Sequence, residues 1–283
     1  MQALKTEKEE LRTYIGEVRS VESWAEMPGE TAEALASIWS AVYGTVAGDG
    51  LDEEYGDRRM WACKLDRLEG ICRERLCAGP EGEPAGDVRL ASALYRIVHT
   101  PLRLFSPETA AVSRSLLAGS LAGENCSGGT AAELLDRAGR LFLASDRLPS
   151  EEEERQLRQC VTLAGDRLMS ELTGPASSAA PSAEIPALPV ETARALYQLY
   201  ELTLWGVGLP SEGLCATDRI VALARKYLET QDLPVDSEYQ TQDRQAGPDC
   251  PSAARLWLLS IVIDSLCRQA DASLPDEYIA RPA

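Results

Sequence analysis

The spacing of apolar residues constrains the fold of this chain most strongly. In many windows apolar residues recur every three or four positions, which is the period of an amphipathic helix. One such series runs through Leu35, Ile38, Trp39, Val42 and Tyr43. Sustained alternation at period two, the pattern of a half-buried strand, does not occur in the sequence. The sequence therefore predicts an all-α chain.

Similar helical series follow along the rest of the chain. They lie at 61–76, 90–98, 134–142, 157–172, 193–204 and 220–228. The segment from Leu256 to Leu266 is apolar on nearly all sides, a pattern typical of a helix buried among its neighbours. We expect Trp257 to be a major packing residue of that helix, and Trp39 and Trp61 to lie in the core.

The junctions between these helical segments resemble one another. Five stretches share a leucine, then a proline or capping residue, then an acid that opens the next helix; they are 48–54, 103–108, 145–151, 206–212 and 271–277. Ser150, Ser211 and Asp276 can cap exposed backbone N–H groups, and the following acids suit the positive end of the helix dipole. Because the theme recurs at separations of roughly 45 to 65 residues, the sequence indicates stacked helical hairpins, as a helical bundle or an α/α repeat array.

One junction carries a family resemblance. The stretch from Val46 to Glu54, and more loosely that from Ala144 to Glu152, resembles the inter-helix motif of TerB-like (tellurite-resistance) helical domains. In that motif an Asp-Gly pair, an aliphatic residue and an acid follow one another between two helices. The second copy departs from it, since Arg147 replaces the glycine. The resemblance implies a compact helical bundle with acidic loops, in a family linked to metal or stress responses.

Polar stretches divide the chain into candidate domains. Residues 173–189 are rich in Ala, Ser and Pro without periodicity, which is typical of a semi-flexible linker. This predicts an N-terminal helical-hairpin domain at 1–172 and a C-terminal helical domain at 190–283. A Gly/Pro-rich break occurs at 78–87. The long polar stretch 230–251 is either a binding element or a disordered surface loop.

The charge balance restricts the classes of partner. The chain carries 45 acidic against 28 basic residues, which gives a formal net charge of −17. An acidic surface repels phosphate backbones and anionic membrane surfaces, and the sequence has no run of bases with interleaved aromatics. We therefore expect neither nucleic-acid nor membrane binding. The acidity favours solubility, and attraction to a cation or a basic partner is the alternative interpretation.

Targeting signals and cysteine usage indicate the compartment. Residues 1–14 lack the pattern of a secretory signal, and the longest apolar stretch, 256–263, is far shorter than the ~20 residues that span a bilayer. The eight cysteines include no C-x-x-C pair. Four of them fall in apolar-periodic segments, where free cysteine behaves as a small hydrophobe; they are Cys63, Cys72, Cys160 and Cys267. We expect reduced thiols and a cytoplasmic location.

Few of the residues that could take part in catalysis or metal binding have the spacing that such sites require. His99 is the single histidine and precedes Thr100-Pro101, so we expect it to interact with carbonyls at a helix end. Cys72 and Cys77 are close enough for a zinc pair, but a second close pair is missing. Trp24 and Trp205 stand beside loops; we favour partial burial at a helix end, and lining of a groove is the alternative.

Acidic residues are the other source of chemistry. The densest set comprises Asp49, Asp52, Glu53, Glu54 and Asp57, which does not follow the spacing of an EF-hand. Helix capping is the favoured interpretation of these acids, and binding of a metal stays open. Paired carboxylates could serve glycoside hydrolysis, but only their distance in the fold would show it. Gly-rich phosphate-binding motifs do not occur in the sequence.

These observations favour a non-enzymatic interaction or scaffold protein that binds a protein or peptide partner, with homo-oligomerisation as a further possibility. They assign no catalytic residue and no cofactor. Two alternatives stay open: a carboxylate-based hydrolase of α/α-barrel type, and a metal-responsive TerB-like helical protein. A hydrolase predicts a cleft with two facing acids, and a metal-responsive protein predicts stabilisation by divalent ions.

Overall fold

The protein is helical throughout the part of the chain that its computed structural model describes. That part comprises residues 2–21, 27–49, 56–77, 87–101, 107–120, 129–144, 151–173, 188–206, 213–231 and 251–272. Within these ranges the chain forms ten helices and no strand. The helices are α1 (Gln2–Arg19), α2 (Gly29–Asp49), α3 (Arg58–Cys77), α4 (Val88–Val98), α5 (Pro107–Ser120), α6 (Ala131–Ala144), α7 (Glu151–Thr173), α8 (Val190–Leu204), α9 (Gly213–Gln231) and α10 (Ala253–Ala272). The predicted all-α class is confirmed.

The chain divides into two compact units. The first comprises Met1–Ala111, Gln245–Pro251 and Val262–Ala283, and the second comprises Val112–Arg244 and Ser252–Ile261. Helices α2 to α4 therefore belong to the first unit, α6 to α9 belong to the second, and α10 contributes residues to both. The predicted linker 173–189 falls between α7 and α8, and its residues 174–187 lie outside the described part. The domain boundary at that linker stays a prediction.

In the first unit, α2 lies at the centre of the packing. It contacts both α3 and α4, which also pack on each other. Residues 31–39 of α2 are all buried, so this helix presents no solvent face along that stretch. Trp39 on α2 and Trp61 and Leu65 on α3 are fully buried. The predicted placement of Trp39 and Trp61 in the core is confirmed.

In the second unit, α6 packs on α7 and α8, and α8 also packs on α9. These helices bury their apolar stripes, which include Leu135, Leu168 and Leu196. Trp257 at the start of α10 is fully buried, and its ring lies 5.0 Å from that of Tyr197. Residues 256–263 are all buried, as the nearly continuous apolar sequence predicts.

Helices α2 and α4 of the first unit run parallel, and so do α6 and α8 of the second. In the first unit, Glu30 of α2 lies beside Arg89 at the start of α4, whereas Ser40 bonds to Thr100 just beyond the end of α4. In the second unit, Asp136 of α6 meets Gln198 of α8, and Phe142 meets Trp205 one to two turns later. If consecutive helices form hairpins, as the sequence predicts, they run in opposite directions, so alternate helices run in the same direction. The pairing of α2 with α4 and of α6 with α8 was not predicted from the sequence.

Side-chain caps begin several helices. Asp57 accepts a bond from the backbone N–H of Arg59, and Asp87 caps α4 by accepting from residues 89 and 90. Thr130 and Glu133 form a reciprocal capping box at the start of α6, with N···O distances of 3.2 and 2.7 Å. Capping by Asp57 is confirmed. The predicted caps at 150, 211 and 276 lie outside the described residues.

The cysteines of the described part differ in environment. Cys72 on α3 and Cys267 on α10 are buried, as predicted, and Cys160 is half-buried. Cys63 is exposed, so its predicted burial is wrong: it lies on the opposite side of α3 from the buried stripe formed by Trp61, Leu65 and Cys72. Burial raises the pKa of the Cys72 thiol to about 12, with nearby Arg75 opposing the rise.

This difference predicts selective alkylation of α3. At pH 8 the Cys72 thiol stays protonated in the folded chain, because its raised pKa lies far above that pH. Iodoacetamide should therefore modify the exposed Cys63 and Cys77 and leave Cys72 intact, as measured by peptide mass mapping. In denaturant all three should react at similar rates. Equal labelling of Cys72 in the folded chain would contradict the buried placement.

Candidate functional site

A buried glutamate joins α2 to α4 in the first unit. The Glu33 side chain is 1% exposed and accepts a bond from Arg89 at 3.1 Å. Its other oxygen lies 3.7 Å from the guanidinium of Arg96. Both arginines come from one face of α4. Arg89 also lies 3.7 Å from Glu30. A buried carboxylate costs several kcal/mol unless it is paired, and here two guanidiniums supply the pairing.

A buried aspartate joins α6 to α8 in the second unit. Gln198 donates to Asp136 Oδ1 at 2.9 Å, within a part of the helix pair that is closed to solvent. Arg194 and Arg140 approach the same carboxylate at 3.4 and 3.3 Å. Gly139 lets the helices come close here, because a Cβ on it would lie 3.2 Å from the Gln198 side chain. Both buried acids are therefore engaged in holding helices together.

Residues considered for catalysis or metal binding do not converge in the described part. No group of three or more His, Cys, Asp or Glu side chains there is placed to hold a metal ion. His99 ends α4, where its Nδ1 lies 2.8 Å from the carbonyl oxygen of Tyr95 and its ring stacks on the Tyr95 ring at 4.0 Å. Its predicted role at a helix end is confirmed. Cys72 is buried and Cys77 exposed.

Several predicted sites fall outside the described residues. These are Trp24, Asp52, Glu53 and Glu54, together with 232–250 of the long polar stretch 230–251. Of the acids in the junction after α2, only Asp57 has a described side chain, and Asp49 is described only as the last residue of α2. Whether those acids bind a metal stays a prediction.

A polar groove lies between α7 and α9 in the second unit. Its volume is about 280 Å³. Buried Met169 and Ala216 form the floor, and exposed Asp166 and Arg219 stand on opposite sides. One carboxylate in the lining does not provide the pair of facing acids that glycoside hydrolysis requires.

The most exposed apolar side chains that the structure describes belong to the second unit. Trp205 is 63% exposed at the end of α8, beside Leu204 at 37%. On α6, Leu141 is 38% exposed and Phe142 is half-buried, with the Phe142 ring 5.9 Å from the Trp205 ring. We name these four residues, at the C-terminal ends of two parallel helices, the apolar surface.

Backbone geometry places Trp205 at the rim of this surface. The N–H of Trp205 donates to Glu201 in the last turn of α8, and Gly206 follows with φ +71°. Glycine ends the helix here because other residues adopt that left-handed conformation at a cost. Arg158 of α7 donates to the carbonyl oxygen of Gly206 and so ties the helix end to its neighbour. These contacts fix the backbone at the end of α8, while most of Trp205 stays exposed.

Sequence reasoning singled out only part of this surface. It favoured partial burial of Trp205 at a helix end, with lining of a groove as the alternative; Trp205 does lie at a helix end and is 63% exposed. It assigned Leu141 and Phe142 to an apolar stripe, where Leu141 was expected to be covered. Two pairs of adjacent apolar residues, Leu141-Phe142 and Leu204-Trp205, could have indicated the surface. Each pair widens an apolar stripe beyond what one neighbouring helix covers.

Breaking the buried ion pairs should destabilise the fold strongly. Replacing Glu33 with Gln removes the buried carboxylate that pairs with both Arg89 and Arg96, at an expected cost of about 3 to 5 kcal/mol in unfolding free energy. Asp264→Asn is the matched control, because Asp264 pairs with Arg268 on the solvent side of α10 and should cost about 1 kcal/mol or less. Urea denaturation followed by circular dichroism measures both; equal losses would show that the Glu33 pairs do not hold α2 to α4.

Comparison with known proteins returns no relative for this chain. No protein-family model, curated protein or solved structure matches it. The resemblance of Val46 to Glu54 to the TerB-like motif accordingly stays a prediction. In the described residues, the helices also include none that is long and apolar enough to cross a membrane.

Proposed function

We propose that this chain is a non-catalytic interaction protein that binds a protein or peptide partner through the apolar surface of its second unit. The observation that carries the proposal is the exposure of Trp205 beside Phe142, Leu141 and Leu204. Large apolar side chains grouped in the open mark interaction sites more often than single exposed leucines do. Three of the four residues lie on helices and Trp205 caps the end of α8, so the backbone beneath the surface is ordered before a partner arrives.

Tryptophan is well suited to anchor a partner. It is among the residues most enriched at the energetic centres of interfaces, where truncation to alanine costs about 2 kcal/mol or more. Its two side-chain torsions lose little entropy on binding relative to the area that the ring buries. The contact with the Phe142 ring and the tie from Arg158 to Gly206 restrict Trp205 further. A partner therefore meets a surface that is already ordered.

The buried acids favour this proposal over a carboxylate-based hydrolase. Glu33 faces Arg89 and Arg96, and Asp136 faces Arg194 and Gln198. A general acid or nucleophile must reach substrate, whereas these carboxylates lie inside helix–helix contacts. Their arrangement suits the maintenance of the fold.

Peptide binding tests the proposal. Peptides selected from a random displayed library on the wild-type chain should bind Trp205→Ala at least about 30-fold more weakly, the loss expected for an anchor worth 2 kcal/mol. Leu163→Ala is the matched control, since Leu163 is 69% exposed on α7 and opposite the buried stripe of that helix. Its affinity for the same peptides should match that of the wild type. Fluorescence anisotropy of labelled peptides gives the dissociation constants.

Two further readouts make the result decisive. Trp39, Trp61 and Trp257 are fully buried, so iodide quenching that is lost in Trp205→Phe reports the exposed indole, and bound peptide should protect it. Sedimentation equilibrium shows whether the surface instead joins two copies of the chain, as a Trp205-dependent dimer. Peptides that bind Trp205→Ala as tightly as wild type, or a library that yields none and a chain that stays monomeric, would overturn the proposal.

A further inference from the structure

We infer that two triplets of helices, α2–α3–α4 and α6–α7–α8, are copies of one three-helix repeat. Only the second copy carries the apolar surface. The first helices begin at residues 29 and 131 and the third helices at 88 and 190, a spacing of 102 residues in both cases. In each triplet the first helix packs on the second and on the third. In each, the first and third helices run parallel, as their polar and aromatic contacts show.

The buried acids occupy equivalent places in the two triplets. Glu33 and Asp136 stand 103 residues apart, in the second turn of their helices. Each takes a partner from the same position of the third helix: Arg96 in the first triplet and Gln198 in the second, again 102 residues apart. Both partners are buried. The acid and its donor are 63 residues apart in the first triplet and 62 in the second. A buried contact that recurs with so small a difference is a far narrower match than a shared helical pattern.

The sequence around these donors also repeats. Residues 91–95 read ASALY and residues 193–197 read ARALY, directly before Arg96 and Gln198. The four identical positions include Ala93 and Leu94, which are fully buried, as are their equivalents Ala195 and Leu196. At the one position that differs, the first triplet has Ser92 and the second has Arg194. In the second triplet Arg194 pairs with the acid, whereas in the first the guanidiniums come from Arg89 and Arg96.

The copies differ where the apolar surface lies. When α2 and α6 are aligned on their buried acids, Leu141 and Phe142 of α6 correspond to Ile38 and Trp39 of α2, which are fully buried. The same register positions are therefore covered in the first copy and open in the second. This consequence rests on the proposed function: a selected peptide should bind with one site per chain in isothermal titration calorimetry. A stoichiometry of two would contradict the assignment to one copy.

Transplanting the donor from the first copy tests the equivalence itself, independently of any partner. Arg194→Ser removes one guanidinium from Asp136, and the double variant Arg194→Ser/Gln198→Arg reproduces the Ser92 and Arg96 arrangement. The double variant should therefore have a higher urea midpoint than Arg194→Ser alone. Arg194→Ser/Thr203→Arg is the matched control, since Thr203 is buried on the same helix but away from the acid. Its midpoint should fall below that of Arg194→Ser.

If position 198 is not equivalent to position 96, a longer charged side chain in that closed contact lowers the midpoint. A double variant at or below Arg194→Ser would thus overturn the inference. Should Arg194→Ser fail to fold, Gln198→Arg and Thr203→Arg in the otherwise wild-type chain provide the same comparison. Gln198→Arg must then have the higher midpoint, and an equal or lower one refutes the duplication. Peptide binding can fail while this ordering holds, so the two proposals are separable.

Discussion

The pairing of a buried carboxylate with donors from a neighbouring helix is the contact on which each unit depends. Glu33 and Asp136 lie where a charge without partners would cost several kcal/mol. A slip of one residue along α4 or α8 would turn the donors away from the acid, since successive residues on a helix point about 100° apart. Apolar contacts at the same interface tolerate small shifts more easily. The ion pairs therefore select one register for each parallel pair.

The register of α6 and α8 in turn sets the apolar surface. Asp136 and Gln198 lie about two turns before Phe142 and Trp205, so the buried contact fixes which aromatic rings meet at the helix ends. Close approach at Gly139 brings the two helices within reach of that contact. Gly206 then stops α8 immediately after the indole. A charged contact in the interior thus governs the geometry of an exposed site.

Much of this fold could be predicted from the sequence because helix formation and helix burial are read from neighbouring residues. The series through Leu35, Ile38 and Trp39 lies in a helix, and the continuous apolar segment around Trp257 lies in the core. The parallel pairing could not be predicted in the same way. Glu33 and Arg96 are 63 residues apart, and sequence spacing alone does not reveal which of many acids and arginines meet across helices.

The candidate site was harder to predict for a related reason. Exposure depends on what covers a residue, whereas periodicity reports only which side of a helix is apolar. Cys63 and Leu141 were each expected to be more buried than they are, since no local pattern shows where a neighbouring helix stops. The burial of α2 on all sides and the open end of α6 differ for this reason, although both helices carry apolar residues at matching positions.

Under the proposed function, the net charge bears on which partner the apolar surface accepts. A chain with a formal net charge of −17 repels a second copy of itself at distances comparable to the Debye length, about 8 Å at physiological ionic strength. The same field attracts a partner of opposite charge and raises its association rate. Burial of Trp205 and its neighbours then supplies short-range affinity once contact is made. Repulsion at long range and apolar attraction at short range together favour a different molecule over self-association.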